Sequence, residues 1–198
     1  MRHTIDNFRL EPLRKGAYIH PHLARYTQDG MEKSWEVLEA GDSVAILIWH
    51  REHERFVLVR QFRPAVYLHN REGMTVELCA GLLDKAGHSP EEVAAEEVEE
   101  ECGFRIDPAR LRKITSFYTS VGFAGSRQNL YYAEVVESMR VSQGGGIPGE
   151  EQIEVLELDP AAAHQLMEDE KVARTPGLLY GLCWWFAHHQ DFASLQNT

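Results

Sequence analysis

Cations are in short supply in this chain: 20 Lys and Arg stand against 31 Asp and Glu, a formal charge of -11 over 198 residues. Phosphate backbones are gripped by basic faces, so this balance argues against nucleic acid as the main partner. A phosphorylated small molecule is not excluded, because a metal ion and a few Arg can neutralise it locally. Cysteine is scarce too. Cys79, Cys102 and Cys183 are odd in number, far apart and set in apolar contexts, which argues for reduced thiols in a cytoplasm over a disulfide framework; no Cys/His spacing for zinc occurs. No apolar run reaches the roughly 18 residues of a membrane span. The most apolar segment, Gly177 to His188, is interrupted by Gly181. The opening Met-Arg-His-Thr-Ile-Asp lacks the apolar core of a signal peptide. What remains is ordinary: 43% apolar and 26% charged residues, in a length that suits one globular domain, or one domain with an extension.

The stretch from Glu77 to Phe104 organises the chain. Met74 to Ala80 reads as a half-buried strand with Gly81 as a tight turn at its end. Ser89 is an N-cap, with Pro90 at the first helical position and Glu92 completing a capping box. Val93, Ala94 and Val98 give the helix an apolar stripe, and Gly103 stops it. Its charge is the unusual feature. Glu97 and Glu101 are four apart and Glu100 lies on the same face. Like charges at that spacing destabilise a helix by a few tenths of a kcal/mol per pair, and near the C-terminal end the macrodipole opposes them as well. A solvated acidic face is one reading. A site for a hard divalent cation, which reverses the local electrostatics, is the other.

Around this stretch, Phe8 to Leu13 and Tyr18 to Tyr26 read as short strands, with Gln28-Asp29-Gly30 as a hairpin turn before Met31. Trp35 reads as a core aromatic or as a stacking surface for a nucleobase. Ser43 to Trp49 and Phe56 to Val59 are buried strands, Arg60 to Arg63 leave the second one before Pro64 breaks it, and Leu68 to Gly73 form a polar loop. Ile114 to Thr119, Gln128 to Val136 and Ile153 to Leu158 are further strands. The loop Gly122 to Arg127 offers glycines, a hydroxyl and a cation, but its spacing is neither a dinucleotide fingerprint nor a P-loop. Gly144 to Glu151 carries four glycines in six residues, a lid-like composition next to two acids. Pro160 to Lys171 and Pro176 to Asp191 are helices, the second with a core-facing aromatic side of Tyr180, Trp184 and Trp185. Strands interleaved with helices make the fold class α/β (α+β), a sandwich of helices about a mixed sheet.

The stretch resembles the Nudix box. Gly81 matches its opening glycine and Glu97-Val98-Glu99-Glu100-Glu101-Cys102-Gly103-Phe104 its ending. The chain departs from the box in three ways: Glu96 stands at the Arg position, Gly87 or His88 at the first Glu, and the link is one residue longer. With Lys33-Ser34-Trp35, Gln61 to Tyr67, Val76 to Gly81 and Gly125 to Gln128, the chain is similar to the UDP-sugar pyrophosphatase branch of that superfamily over nearly its whole length. The resemblance implies a Nudix-type α/β/α sandwich at residues 41–198. It also implies an N-terminal β-hairpin extension at 1–40 that exchanges with a partner in a homodimer.

For the chemistry, the resemblance implies Mg²⁺, with Mn²⁺ as an alternative, held by Ala80, Glu97, Glu100, Glu101 and Glu151. Glu100, Glu150 and Glu151 are the candidates for base chemistry, Glu150 and Glu151 being left undivided between base and ligand. Lys33, Trp35, Arg63, Ser126 and Arg127 are the candidate substrate contacts. The expected reaction is cleavage of a nucleoside diphosphate sugar, UDP-glucose giving UMP and glucose 1-phosphate, in a cytoplasmic enzyme that takes no nucleic acid or membrane as partner. The alternatives are an ADP-ribose pyrophosphatase and, more remotely, a non-catalytic nucleotide-binding module.

Overall fold

The structure, a computed structural model, describes residues 5–13, 16–147, 149 and 152–189. Strand β1 (Ile19–Gln28) and β2 (Met31–Ala40) form a two-stranded antiparallel ribbon of their own. Asp29 and Gly30, both with positive φ (53° and 78°), close it in the two-residue manner that matches strand twist. Phe8 to Leu13, expected as a strand, is irregular, and Phe8 packs on Tyr67 instead.

The body is built on β3 (Ser43–His50) and β4 (Arg55–Phe62), an antiparallel pair. Each has a run of buried residues, and the period-two alternation of side chains sends them to opposite faces. Val44, Ile46, Ile48, Val57 and Val59 pack on one side, with Val93, Ala94, Val98 and Cys102 of α2 (Pro90–Cys102). Ala45, Leu47, Trp49, Phe56 and Leu58 pack on the other. There they meet α3 (Pro160–Glu168) and α4 (Pro176–His188). That is the expected α/β/α sandwich. The sheet is mixed: β8 (Arg127–Val135) runs parallel to β3, and β7 (Arg112–Tyr118) antiparallel to β8. β9 (Ile153–Leu158) covers β4.

Three local expectations change. Pro64 does more than break a strand: it is the first residue of a short helix, α1 (Pro64–Asn70), where its missing N–H has no cost. The single strand expected over Met74 to Ala80 is two, β5 (Met74–Glu77) and β6 (Cys79–Leu82). The chain changes partner at Leu78: β5 pairs with β4 and with the two-residue β10 (Ala173–Arg174), whereas β6 pairs with β3. In α4, Trp185 is fully buried and Trp184 packs partly against the core, but Tyr180 is 49% exposed. Its ring meets Phe117 edge-on. Among the described residues no helix is long and apolar enough to cross a membrane.

Gly103 has φ 79° and caps α2, donating to Glu99 and Val98 carbonyls. A Cβ there would stand 2.2 Å from the Ser142 carbonyl oxygen. Strain in the left-handed region and this backbone collision act together, so Gly103→Ala should cost about 2 kcal/mol or more, a fall in Tm of about 4 °C or more by thermal unfolding.

His50, His53 and Glu137 bring ligand-type atoms within 4.8 Å of one another. Their atoms are already engaged. His50 is buried, its Nδ1 accepts from the His53 backbone N–H, and its protonated Nε2 is then left to donate to Glu137 at 3.3 Å. The two imidazoles stack in parallel at 3.8 Å, so their in-plane lone pairs do not converge. Arg140 donates to both Glu137 oxygens and lies 4.2 Å over Phe104. The group is a polar clasp on the β3–β4 turn.

Candidate active site

Helix α2 carries seven glutamates and no basic residue, and most of its acids have individual partners. Glu92 closes the capping box with Ser89. Glu91 accepts from the Tyr131 hydroxyl at 2.8 Å, and burial with this anion's help holds that phenol well above its usual range. Glu99 receives a two-pronged Arg105 guanidinium at 2.8 and 2.7 Å, which keeps its carboxyl below the usual range. Buried Val93 and Val98 contribute about 3 kcal/mol or more to holding the helix down. That outweighs the few tenths per like-charge pair.

Glu97 and Glu101 lie against β6, and Glu100 stands between them on the same side of the helix. Glu101 is 3% exposed, and its Oε2 accepts the Ala80 N–H at 3.0 Å. Glu97 lies against Gly81, where a Cβ would come within 2.1 Å of its Oε1. Gly81 therefore has a different role from the expected turn: it sits inside β6 paired with Val44, and its bare Cα makes room for a carboxylate. Glu100 is 3.7 Å from the Lys85 ammonium. Glu96, at the position the box gives to Arg, is bonded to Lys85 at 2.7 Å, with His88 3.3 Å away. The carboxylates of Glu97 and Glu101 against the β6 backbone, with Glu100 on the same helix face, form a hard-oxygen donor set of the kind that suits Mg²⁺ or Mn²⁺.

The substrate candidates divide. Arg63 donates from Nε and Nη2 to Glu77, both at 2.8 Å, and Thr75 donates to the same carboxylate. Burial pushes the Glu77 carboxyl up, but these partners more than offset it, so the group lies below the usual range. Its contribution to stability is thus present above about pH 4.3 and is lost as pH falls through its lower folded value. Arg63→Ala leaves that 7% exposed anion with Thr75. It should cost about 2 kcal/mol at pH 7, discounted from a fully buried pair because Arg63 is half-exposed. Urea midpoints for mutant and parent should converge as pH falls below about 4.

Arg127 is fixed by its backbone N–H to Asp42 at 2.7 Å, by Nη2 to Ser116 at 2.7 Å, and by a guanidinium 5.7 Å over Tyr118. Ser126 Oγ reaches the Ala40 carbonyl at 3.4 Å. Asp42 also accepts, through its carbonyl, from Leu83 N–H, linking this region to the link after β6. Trp35 is not a core aromatic: it is 57% exposed, and its Nε1 donates to the Gly122 carbonyl at 2.7 Å. With Leu38 N–H to Phe123 O, this bond docks the ribbon on the 120–126 loop. Lys33 lies nearer the ribbon tip and bonds Gln28. Glu150 and Glu151 lie outside the described residues.

Sequence reasoning passed over Lys85, Glu77 and Asp42, whose roles depend on pairings without a local pattern. It also read the cysteines as distant. Cys79 and Cys102 are both buried with their thiols in contact, and burial, with Cys102 and Glu101 adding to it, pushes the Cys79 thiol well up, an unreactive environment.

A mixed-sheet sandwich with an acidic helix laid over the strand that holds Ala80 and Gly81 is the arrangement of a Nudix hydrolase. The NUDIX domain pattern matches residues 40–176, and the chain belongs to the Nudix family. It is 40% identical over 197 residues to the uridine diphosphate glucose pyrophosphatase NUDT14 of Bos taurus, covering 86% of this chain and 89% of that one. The Mus musculus protein of the same name is 36% identical over 206 residues, covering 90% and 93%. A GDP-mannose pyrophosphatase of Cronobacter sakazakii is 41% identical over 137 residues, 69% of each chain. Nudix hydrolases generally use divalent metal ions.

Proposed function

We propose that this Nudix hydrolase is a Mg²⁺-dependent pyrophosphatase of nucleoside diphosphate sugars, with UDP-glucose cleaved to UMP and glucose 1-phosphate. The observation that carries this reading is the placement of the Glu97 and Glu101 carboxylates directly against the Ala80–Gly81 backbone. The near full-length similarity to uridine diphosphate glucose pyrophosphatases supplies the substrate class.

Glu97, Glu100, Glu101 and the Ala80 carbonyl would hold Mg²⁺, with Mn²⁺ as a substitute. The bound ion supplies positive charge to the diphosphate and acidity to a coordinated water. Arg127, oriented by Asp42 and Ser116, and Arg63, oriented by Glu77, offset the remaining phosphate charge. Ser126, Trp35 and Lys33 take the sugar and base side. Water oxygen bonds to one phosphorus, the bridging P–O bond breaks, and the water proton passes to a carboxylate, for which Glu100, Glu150 and Glu151 are the candidates. We assign the β1–β2 ribbon to dimerisation: two strands alone are marginal in water, and Leu23, Met31 and Trp35 are exposed on it.

GDP-mannose is the second substrate reading, favoured by the similarity over 137 residues to a GDP-mannose pyrophosphatase; ADP-ribose is the third. Initial rates with UDP-glucose, GDP-mannose and ADP-ribose at one Mg²⁺ concentration decide among them. UDP-glucose should have the highest kcat/KM, and a higher value for either rival reassigns the base pocket. No turnover of any of the three, with nucleotide still bound, would make the chain a binding module.

A further inference from the structure

The helix that carries the proposed metal ligands has seven acids and no cation of its own, yet one ammonium group reaches it from outside. Lys85 lies in the link after β6, where Leu83 N–H is tied to the Asp42 carbonyl and His88 N–H to the Lys85 carbonyl at 3.3 Å. Its Nζ is 2.7 Å from Glu96 Oε2 and 3.7 Å from Glu100 Oε1. All three side chains are only partly exposed, at 35%, 38% and 40%. Glu96 is thus an anchor, held also by His88 at 3.3 Å, and Glu100 is the acid shared between the anchored cation and the helix face that bears Glu97 and Glu101. The ammonium and a divalent ion would draw on the same carboxylate.

From this geometry we infer that Lys85 is a placeholder cation. Anchored on Glu96, it holds Glu100 while the acidic face is metal-free and yields that carboxylate when a divalent ion binds, so that it sets the affinity for the ion without touching substrate. An isolated exposed ion pair would do neither, since such pairs contribute little and have no reason to affect a metal. The inference rests on the reading of Glu97, Glu100 and Glu101 as metal ligands, and the test separates the two.

Mn²⁺ binding to the substrate-free full chain is measured by calorimetry for the parent, Lys85→Met, Lys85→Arg and Glu96→Gln, with thermal unfolding in EDTA and in Mn²⁺ alongside. Removing a positive charge beside a dication site should tighten Mn²⁺ about three- to tenfold in Lys85→Met. Its Tm in EDTA should fall, and the gain in Tm on adding Mn²⁺ should exceed that of the parent. Lys85→Arg, which keeps the charge, should restore the parent constant. Glu96→Gln, which frees the ammonium to act on Glu100 alone, should weaken Mn²⁺. Equal Mn²⁺ affinity in parent and Lys85→Met overturns the role of Lys85 and leaves the metal site standing. Absence of Mn²⁺ binding in every protein overturns the metal site itself, and the placeholder with it.

Discussion

Glu97→Gln and Glu101→Gln should each lower turnover of UDP-glucose by at least about 100-fold, because each removes an anionic oxygen from the proposed metal-holding set and even outer-shell losses at metal sites reach 10- to 100-fold. The two differ in their effect on stability. Glu101 is buried and accepts the Ala80 N–H. Gln can preserve that bond through its amide oxygen, leaving a new NH₂ to be satisfied at a cost of about 1–3 kcal/mol. Glu97 packs on Gly81 and has only a partly buried surface, so its variant should unfold close to the parent temperature. Kinetics at saturating Mg²⁺ with parallel thermal scans check both statements. Near-parent turnover in both variants removes the carboxylates from the chemistry.

Gly81→Ala is the second large effect, and it reaches the same site through a single methyl. The Cβ would lie 2.1 Å from Glu97 Oε1, 2.2 Å from its Cδ and 2.6 Å from its Cγ. The backbone at Gly81 is extended, with no positive φ, so an Ala meets no conformational penalty of its own. All of the cost falls on the Glu97 side chain, which must leave its place over the strand. A displacement of about 1 Å in a catalytic group is enough for losses near 100-fold. We therefore expect activity to fall by that order while Tm drops by only a few degrees. An Ala variant with parent activity would show that Glu97 works from another position.

Those two residues also mark how far the sequence could be read. The extent of α2 followed from local chemistry: Ser89, Pro90 and Glu92 start it, Gly103 ends it, and Val93 and Val98 face the core. The Asp29–Gly30 turn and the strand Ile153–Leu158 were legible for the same reason, since turn chemistry and alternation act within a few residues. The break at Leu78 was not, because a strand that changes neighbours keeps an unbroken apolar pattern. Pro64 was read for what it prevents, and α1 shows what it begins. The contacts of Lys85 with Glu96, eleven residues on, and of Arg63 with Glu77, fourteen residues on, fit no helical or strand spacing. Trp35 was ambiguous on composition alone; its partner, the Gly122 carbonyl, is 87 residues away.

The partner change at Leu78 sets where this chain can tolerate a gain or loss of residues. Between Met74 and Leu82 every side chain is committed to one face or the other. One inserted residue there would rotate all that follow by half a turn and carry Gly81 away from Glu97. Just beyond, the link from Leu83 to Ser89 is tied at its ends by Asp42 and by the cap, and in between by Lys85 and His88 to Glu96. An added residue in that link would shift Lys85 and His88 against Glu96 while leaving the Gly81–Glu97 contact in place.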